Sequence, residues 1–465
     1  LSKWTGFLLL ILCSGMLSQN VTAAEEGLTV TVDGIPQGMT PSPVFMNDTV
    51  LVPMQGLFQA LGAEAEWDES TGTLVGRRED RSITLQLNAQ QASIAGLQTG
   101  PKASALRLMN NTPMVPARFV SESLGMFVSW DASSQTVQIQ HDEPLYGRTK
   151  TQISKRMREA RPSYTGDAFV ERPAINSPQK QGKLSEGFIE DGVKMANFMR
   201  YLSGLPDDLI QSGRLNEQAQ YGAVLLADWG RLSHTPGKPA DMPDDFYKQG
   251  YASTSTSNIY KMFGTAKGVK TDGFLARTVH AYMRDEDDDN IAVVGHRRWI
   301  LNPPLKEIGF GLAAGRETGG YKTLYSPMQV LDKSRDTKVA YETVTWPGKG
   351  YFPTDYFLGN DPWSISLNPE QFNKPDPEQV TVKLVRINDQ TEWTLDRQDL
   401  ELRQGEDYFN VDTSSYGIPY CIVFRPGHLP YYADGDRFEV SVSGLQDRQG
   451  NPAQLSYPVV FFDAE

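Results

Sequence analysis

The feature that most constrains this chain is a register that repeats. Val52-Pro53, Leu61-Gly62, Trp67-Asp68 and Thr73 recur as Val115-Pro116, Leu124-Gly125, Trp130-Asp131 and Thr136, each displaced by 63 residues. One offset held across four features marks the duplication of a single structural unit. Each copy predicts a short helix after the Val-Pro pair, a tight glycine turn, and two strands separated by a polar turn. That turn is Glu69-Ser70-Thr71-Gly72 in the first copy and Ala132-Ser133-Ser134-Gln135 in the second. Trp67 and Trp130 could stack on a sugar, but a Trp-Asp pair before a turn is read first as a core anchor beside a turn-capping carboxylate.

A chain of 465 residues exceeds one ordinary domain, so several folded units are expected. The net charge of -13 argues against a phosphate-binding surface, and with it against a nucleic-acid role. Lys3, the apolar run Phe7 to Leu17 and Val21-Thr22-Ala23-Ala24 predict a secretory signal peptide over 1–24. The apolar run falls short of the roughly 18 residues that span a bilayer, so no retained transmembrane anchor is expected. Cys13 follows Leu12, where lipidation wants a small residue. Cleavage leaves Cys421 alone, so no intramolecular disulfide can form, and the run Cys421-Ile422-Val423-Phe424 reads as buried strand.

After the repeat (25–140), residues 141–183 read as a polar linker whose Lys155-Arg156-Met157-Arg158 is solvated or lies against anionic wall polymers. In 184–335, Ile189, Val193, Ala196, Met199 and Leu202 fall on one helical face. A second helix carries Leu215, Ala219, Gly222, Leu226 and Trp229, closes at Gly230, and places His234 at its exit. In 336–465, period-two runs such as Val380, Val382, Leu384 and Phe438, Val440, Val442 predict an accessory antiparallel β-sandwich without catalytic signature.

The duplicated segment resembles the copper amine oxidase N-terminal-like, or stalk, domain. Amine oxidation needs a histidine copper site, and residues 25–140 contain no histidine, so that activity is not expected. Residues 184–335 resemble the CAP superfamily (SCP-like extracellular domain), which includes many bacterial secreted proteins. The likeness rests on Asn197, Arg200, Ala219-Gln220, Leu232-Ser233-His234, Asn258-Ile259, the run from Gly295-His296-Arg297-Arg298-Trp299 to Pro303, and Ile308-Gly309-Phe310-Gly311.

The two resemblances imply a multidomain α+β protein, secreted or associated with the cell wall: a duplicated α+β stalk, an α-β-α sandwich and a β-sandwich. The CAP likeness also implies a cavity of two histidines and two acids that holds Zn2+ in some members. Carried over here, His234 and His296 are the metal ligands, Ser257 replaces the first acid, Asn258 adjoins it, and Asp285 or Glu286 is the second. The alternative is a pair of histidines bonded to backbone groups, without metal.

Three functions follow: binding or scaffolding of a small ligand or cell-wall component, metal-dependent hydrolysis (peptide bonds first), or carriage of an apolar ligand. The run Asp285-Glu286-Asp287-Asp288-Asp289-Asn290 fails the EF-hand pattern, because its sixth and twelfth places hold Asn290 and His296. It reads as a solvated loop whose acids pair with Arg297 and Arg298.

Overall fold

The computed structural model describes residues 27–46, 49–87, 93–94, 97–98 and 106–464. The signal peptide expected over 1–24 lies outside them. Two compact units divide after His141. Among the described residues, no helix is long and apolar enough to cross a membrane.

In the first unit the duplicated Val-Pro strands pair with each other. Thr49–Pro53 and Thr112–Pro116 run antiparallel with Val52 opposite Val115, flanked by Val44–Met46 and Arg107–Met109. Proline then ends each strand and opens a helix, Met54–Ala60 or Ala117–Ser123. Gly62 and Gly125 follow in the left-handed region, which glycine enters without penalty. Each copy then forms its hairpin, Glu64–Asp68 with Thr73–Arg78 and Met126–Asp131 with Thr136–His141.

Asp68 Oδ1 accepts from the Ser70 amide at 2.9 Å and from its hydroxyl at 2.6 Å; Asp131 Oδ1 does the same with Ser133 at 2.9 and 2.7 Å. Trp67 and Trp130 pack against one shared core with Leu57, Leu74, Val120 and Ile139.

The copies differ in a compensated way. A Cβ at Gly76 would lie 2.2 Å from the Phe58 ring, so Phe58 fills the space that Gly76 leaves. The equivalent pair, 63 residues on, is Ser121 and Ile139, both fully buried: the large residue has changed places.

The second unit opens differently from the polar linker expected over 141–183. Lys150–Ala160 is a helix with a capping box between Thr149 and Gln152, and it buries Ile153, Met157 and Ala160. Its apolar face packs on the helix Glu186–Leu202. Three apolar residues among basic ones give too faint a stripe for composition to reveal. Arg156 stays exposed, as expected of the basic run, and pairs with Asp207 at 2.9 Å.

The α-β-α region follows. Its sheet runs in the order Ile210–Gln211, Glu307–Phe310, Tyr321–Gln329, Ser257–Thr265. Alternation along Gly309-Phe310-Gly311 assigns the faces. A Cβ at Gly309 or Gly311 would lie 2.3 Å from Leu215 carbon or 2.2 Å from Ala219 oxygen, so these glycines admit the backbone of helix Gly213–Trp229. Phe310 points the other way, onto Gly192 of helix Glu186–Leu202, which packs against helix Phe274–Arg284. Helix Asp244–Thr254 joins Gly213–Trp229 on its face.

The C-terminal region is a sandwich of two sheets, in the orders Thr343–Trp346, Trp363–Leu367, Tyr420–Arg425, Tyr408–Asp412 and Gly350–Pro353, Pro452–Phe462, Arg437–Gln446, Thr381–Arg386, Thr391–Leu395. Trp363 joins the sheets, with ring centroids 5.7 Å from Phe438 and 6.1 Å from Phe461. The sandwich is not wholly antiparallel, because Gly350–Pro353 pairs parallel to Val459–Phe462.

Nor is it a loose appendage. Arg297, fully buried, donates to the carbonyls of Met283 and Arg284 and also to Pro362 O at 2.6 Å and Ser364 Oγ at 3.1 Å in the sandwich. Arg298 reaches Asp412, Ser414 O and Ile418 O, and Arg284 pairs with the fully buried Asp361 at 2.9 Å. The expectation that Arg297 and Arg298 pair with the acidic loop is therefore corrected: their side chains clamp one region to the other. Breaking such a buried pair costs about 3–5 kcal/mol, since the abandoned charge stays desolvated.

Candidate functional site

His296 stands in the short helix Gly295–Ile300, entered through Val294 at φ 43°. Asp285 closes the preceding helix Phe274–Arg284 at φ 47°. A β-branched residue in the left-handed region is strained, and burial of Val294 with Ile291, Tyr408, Cys421 and Val423 holds it there. These two bends bring Asp285 behind His296. Asp285 Oδ1 lies 2.7 Å from His296 Nδ1, and its Oδ2 accepts from the Arg297 amide at 3.0 Å. Tyr282 stacks on the imidazole, with centroids 5.2 Å apart. Burial works to depress the His296 pKa, but the Asp285 carboxylate outweighs it, and the net shift is upward from 6.5.

His234 is exposed, beyond the left-handed Gly230 that closes helix Gly213–Trp229. Its Nδ1 lies 2.8 Å from the Thr254 carbonyl, and Thr254 Oγ1 donates to the His234 carbonyl at 3.1 Å. A carbonyl can only accept, so Nδ1 carries the proton and Nε2 keeps a lone pair. The ionised Asp285 imposes the same arrangement on neutral His296.

One segment of chain bonds to both histidines, to the ring of His234 and to the backbone of His296. Asn258 Nδ2 donates to the His296 carbonyl at 2.9 Å, while Thr254 holds His234. Four residue steps separate Thr254 from Asn258, a reach of at most about 14 Å.

The acids and hydroxyl expected beside the histidines take other roles. Ser257 is buried, donates to Ser253 O at 2.7 Å and accepts from Gln329 Nε2 at 2.6 Å, so its hydroxyl is spent inside the helix–sheet layer. Asp285 orients His296 from behind. Glu286 pairs with Arg284 at 3.0 Å. Asp287 caps its own turn, accepting from Asp289 N and Asn290 Nδ2.

Two imidazoles, with the one neighbouring carboxylate, Asp285, engaged behind His296 at Nδ1 and at the Arg297 amide, do not make up the three or four protein ligands of a resident zinc. Among the described residues no three His, Cys, Asp or Glu side chains gather as such a group. What the geometry supplies is two fixed ring nitrogens, one backed by a carboxylate.

Sequence reasoning missed Thr254, Tyr282 and Asp361. Each acts through a contact distant in the chain, and none belongs to a motif.

The comparisons agree with this architecture. The Cysteine-rich secretory protein family model matches residues 196–326. The chain carries a CAP domain. The Copper amine oxidase N-terminal domain model matches residues 31–139, ahead of that CAP domain. No curated protein matches the chain. The matched CAP segment contains both histidines, Thr254, Asn258 and Asp285, and ends before the sandwich that holds the His296 helix in place.

Proposed function

We propose that this is an extracellular binding protein whose CAP domain presents His234 and His296 to a small polar ligand. The observation that carries the reading is the matched Nδ1 anchoring, by Thr254 O and Asp285, which fixes both rings and leaves both Nε2 atoms for recognition. Rings locked in this way bind with little loss of side-chain freedom. His296 changes role with pH: protonated, it donates to an anionic group; neutral, it accepts from a hydroxyl or amide. The stalk repeat and the sandwich fit a scaffold held at the cell surface, with a small ligand or a cell-wall component as the partner.

A second reading is hydrolysis, favoured by the 2.7 Å Asp285–His296 pair, which orients an imidazole as a general base for water. The exposed-nucleophile part of such a site is lacking at Ser257, whose hydroxyl is buried and engaged.

Thermal-shift screening of small organic acids and sugars against the full chain tests the proposal, with His234→Ala/His296→Ala as control. A ligand that raises the melting temperature of the parent and not of the double variant supports it. Ligands that stabilise both equally would place binding elsewhere. Zinc calorimetry is expected to show no stoichiometric site; one that vanishes in the double variant would restore the metal.

A further inference from the structure

Away from the histidines, a groove of about 660 Å³ opens where the first turns of helices Glu186–Leu202 and Gly213–Trp229 meet the end of the sheet. That volume falls within the roughly 300–1,000 Å³ of small-molecule pockets. We propose that it is a separate binding site for a short peptide segment bearing a lysine-type ammonium side chain.

Three observations support the assignment. The floor is apolar: Leu184, Ile189 and Phe310 line it and are buried. Around it stand Glu171, Glu186 and Glu217, which have no ion-pair partner among the described residues, against the single ammonium of Lys183. Apolar side chains beneath three carboxylates that outnumber the one ammonium match a side chain with a methylene stem and a cationic head.

The third observation is the backbone. Ile210–Gln211 is the end strand of its sheet, and its bonds to the neighbouring strand run from Ile210 N to Lys306 O and from Ser212 N to Ile308 O. The amide and carbonyl of Gln211 are thus directed away from that strand. Gln211 itself lines the groove, with its Oε1 held by Asn216 Nδ2 at 3.1 Å. Asn197 occupies the same edge at Leu209, bonding both its amide and its carbonyl, so the backbone pair of Gln211 is what lies beside the pocket, enough to seat one residue of an extended peptide. A sugar would want an exposed aromatic face, and the groove's one ring, Phe310, is fully buried.

The test is fluorescence anisotropy on the full chain with a dye-labelled pentapeptide, a central lysine between alanines and leucines, alongside the same peptide with central glutamate. Saturable binding of the lysine peptide is expected, at least tenfold weaker in Glu186→Gln/Glu217→Gln and unchanged in His234→Ala/His296→Ala. Both glutamates are exposed, and an unaltered melt of that variant shows that its fold is intact. No binding, equal binding of the glutamate peptide, or equal affinity in the glutamine variant overturns the proposal. So does a glucosamine oligomer that binds more tightly than the peptide.

Discussion

The duplicated unit and the CAP–sandwich unit are built by opposite means. In the first, the turns are local and occur twice, capped by Asp68 and again by Asp131, and the join between the copies is a backbone pairing of each Val-Pro strand with its own duplicate, 63 residues away. In the second the decisive contacts are single and long in range: Arg297 and Arg298 reach from the CAP domain across 65 to 120 residues of chain to the sandwich. Each copy can drift so long as it compensates internally, as Phe58 with Gly76 in the first against Ser121 with Ile139 in the second shows. A clamp of buried guanidinium groups has no second copy to fall back on.

The largest effect expected from breaking this contrast is at the clamp. Arg298→Ala, which strands the Asp412 carboxylate, should cost the second unit about 3–5 kcal/mol in denaturant unfolding. Arg297→Ala, which leaves the carbonyls of Met283, Arg284 and Pro362 without their donor, should cost about 1–3 kcal/mol for each group left unsatisfied. A loss below about 1 kcal/mol would mean that the sandwich is only loosely attached.

Next comes the volume exchange in the repeat. Gly76→Ile drives a side chain into Phe58 and should cost about 1–3 kcal/mol or more, as overpacked cores do. Adding Phe58→Ser imitates the second copy and should recover most of it. A double variant as unstable as Gly76→Ile alone would show that the copies are not interchangeable.

Smaller, and opposite in sign, are two pH effects within the CAP domain. The His296 pKa is raised, so its pairing with Asp285 stabilises fully below pH 6.5 and is lost as pH rises through the elevated value. His280, on the neighbouring helix, has its pKa lowered by burial, and its Nε2 has no partner. Its contribution is therefore present above pH 6.5 and lost on acidification. Urea unfolding across pH 5 to 9 should show Asp285→Asn removing the first dependence and His280→Gln the second, each by less than one proton. The same sign for both variants would contradict the assignment.

Smallest of all are the exposed turn caps. Asp68→Ala and Asp131→Ala should lower the melting temperature slightly and by similar amounts, and unequal losses would weaken the claim that the copies are equivalent.

The helix, glycine turn and hairpin of each repeat were legible in the sequence because they are short in range and written twice. The pairing of the two Val-Pro strands and the parallel pairing of Thr29 with Thr136 were not, because they join segments 63 and 107 residues apart. The two helices around Ala196 and Ala219 were legible from apolar period, and Gly309 and Gly311 from motif, although their reason, the close approach of a helix backbone, needed coordinates. His234 and His296 were found by resemblance. Of their anchors, Thr254 looks like any helix-terminal threonine, while Asp285 was narrowed by resemblance to one of two acids but expected to face the cavity rather than to stand behind His296. The helix Lys150–Ala160 was hidden because only Ile153, Met157 and Ala160 mark its buried face. The sandwich was read as accessory since the side chains that fasten it belong to the CAP motif itself.

The central claim is that both site histidines carry their proton on Nδ1 and offer Nε2. With only five histidines in the chain, selective nitrogen-15 labelling and long-range nitrogen–proton NMR, assigned by single His→Gln variants, can determine each tautomer above the pH at which the rings titrate. The structure predicts the Nδ1–H form for His234 and His296, with the His296 signal lost from that form in Asp285→Asn. An Nε2–H tautomer at either ring would contradict the account.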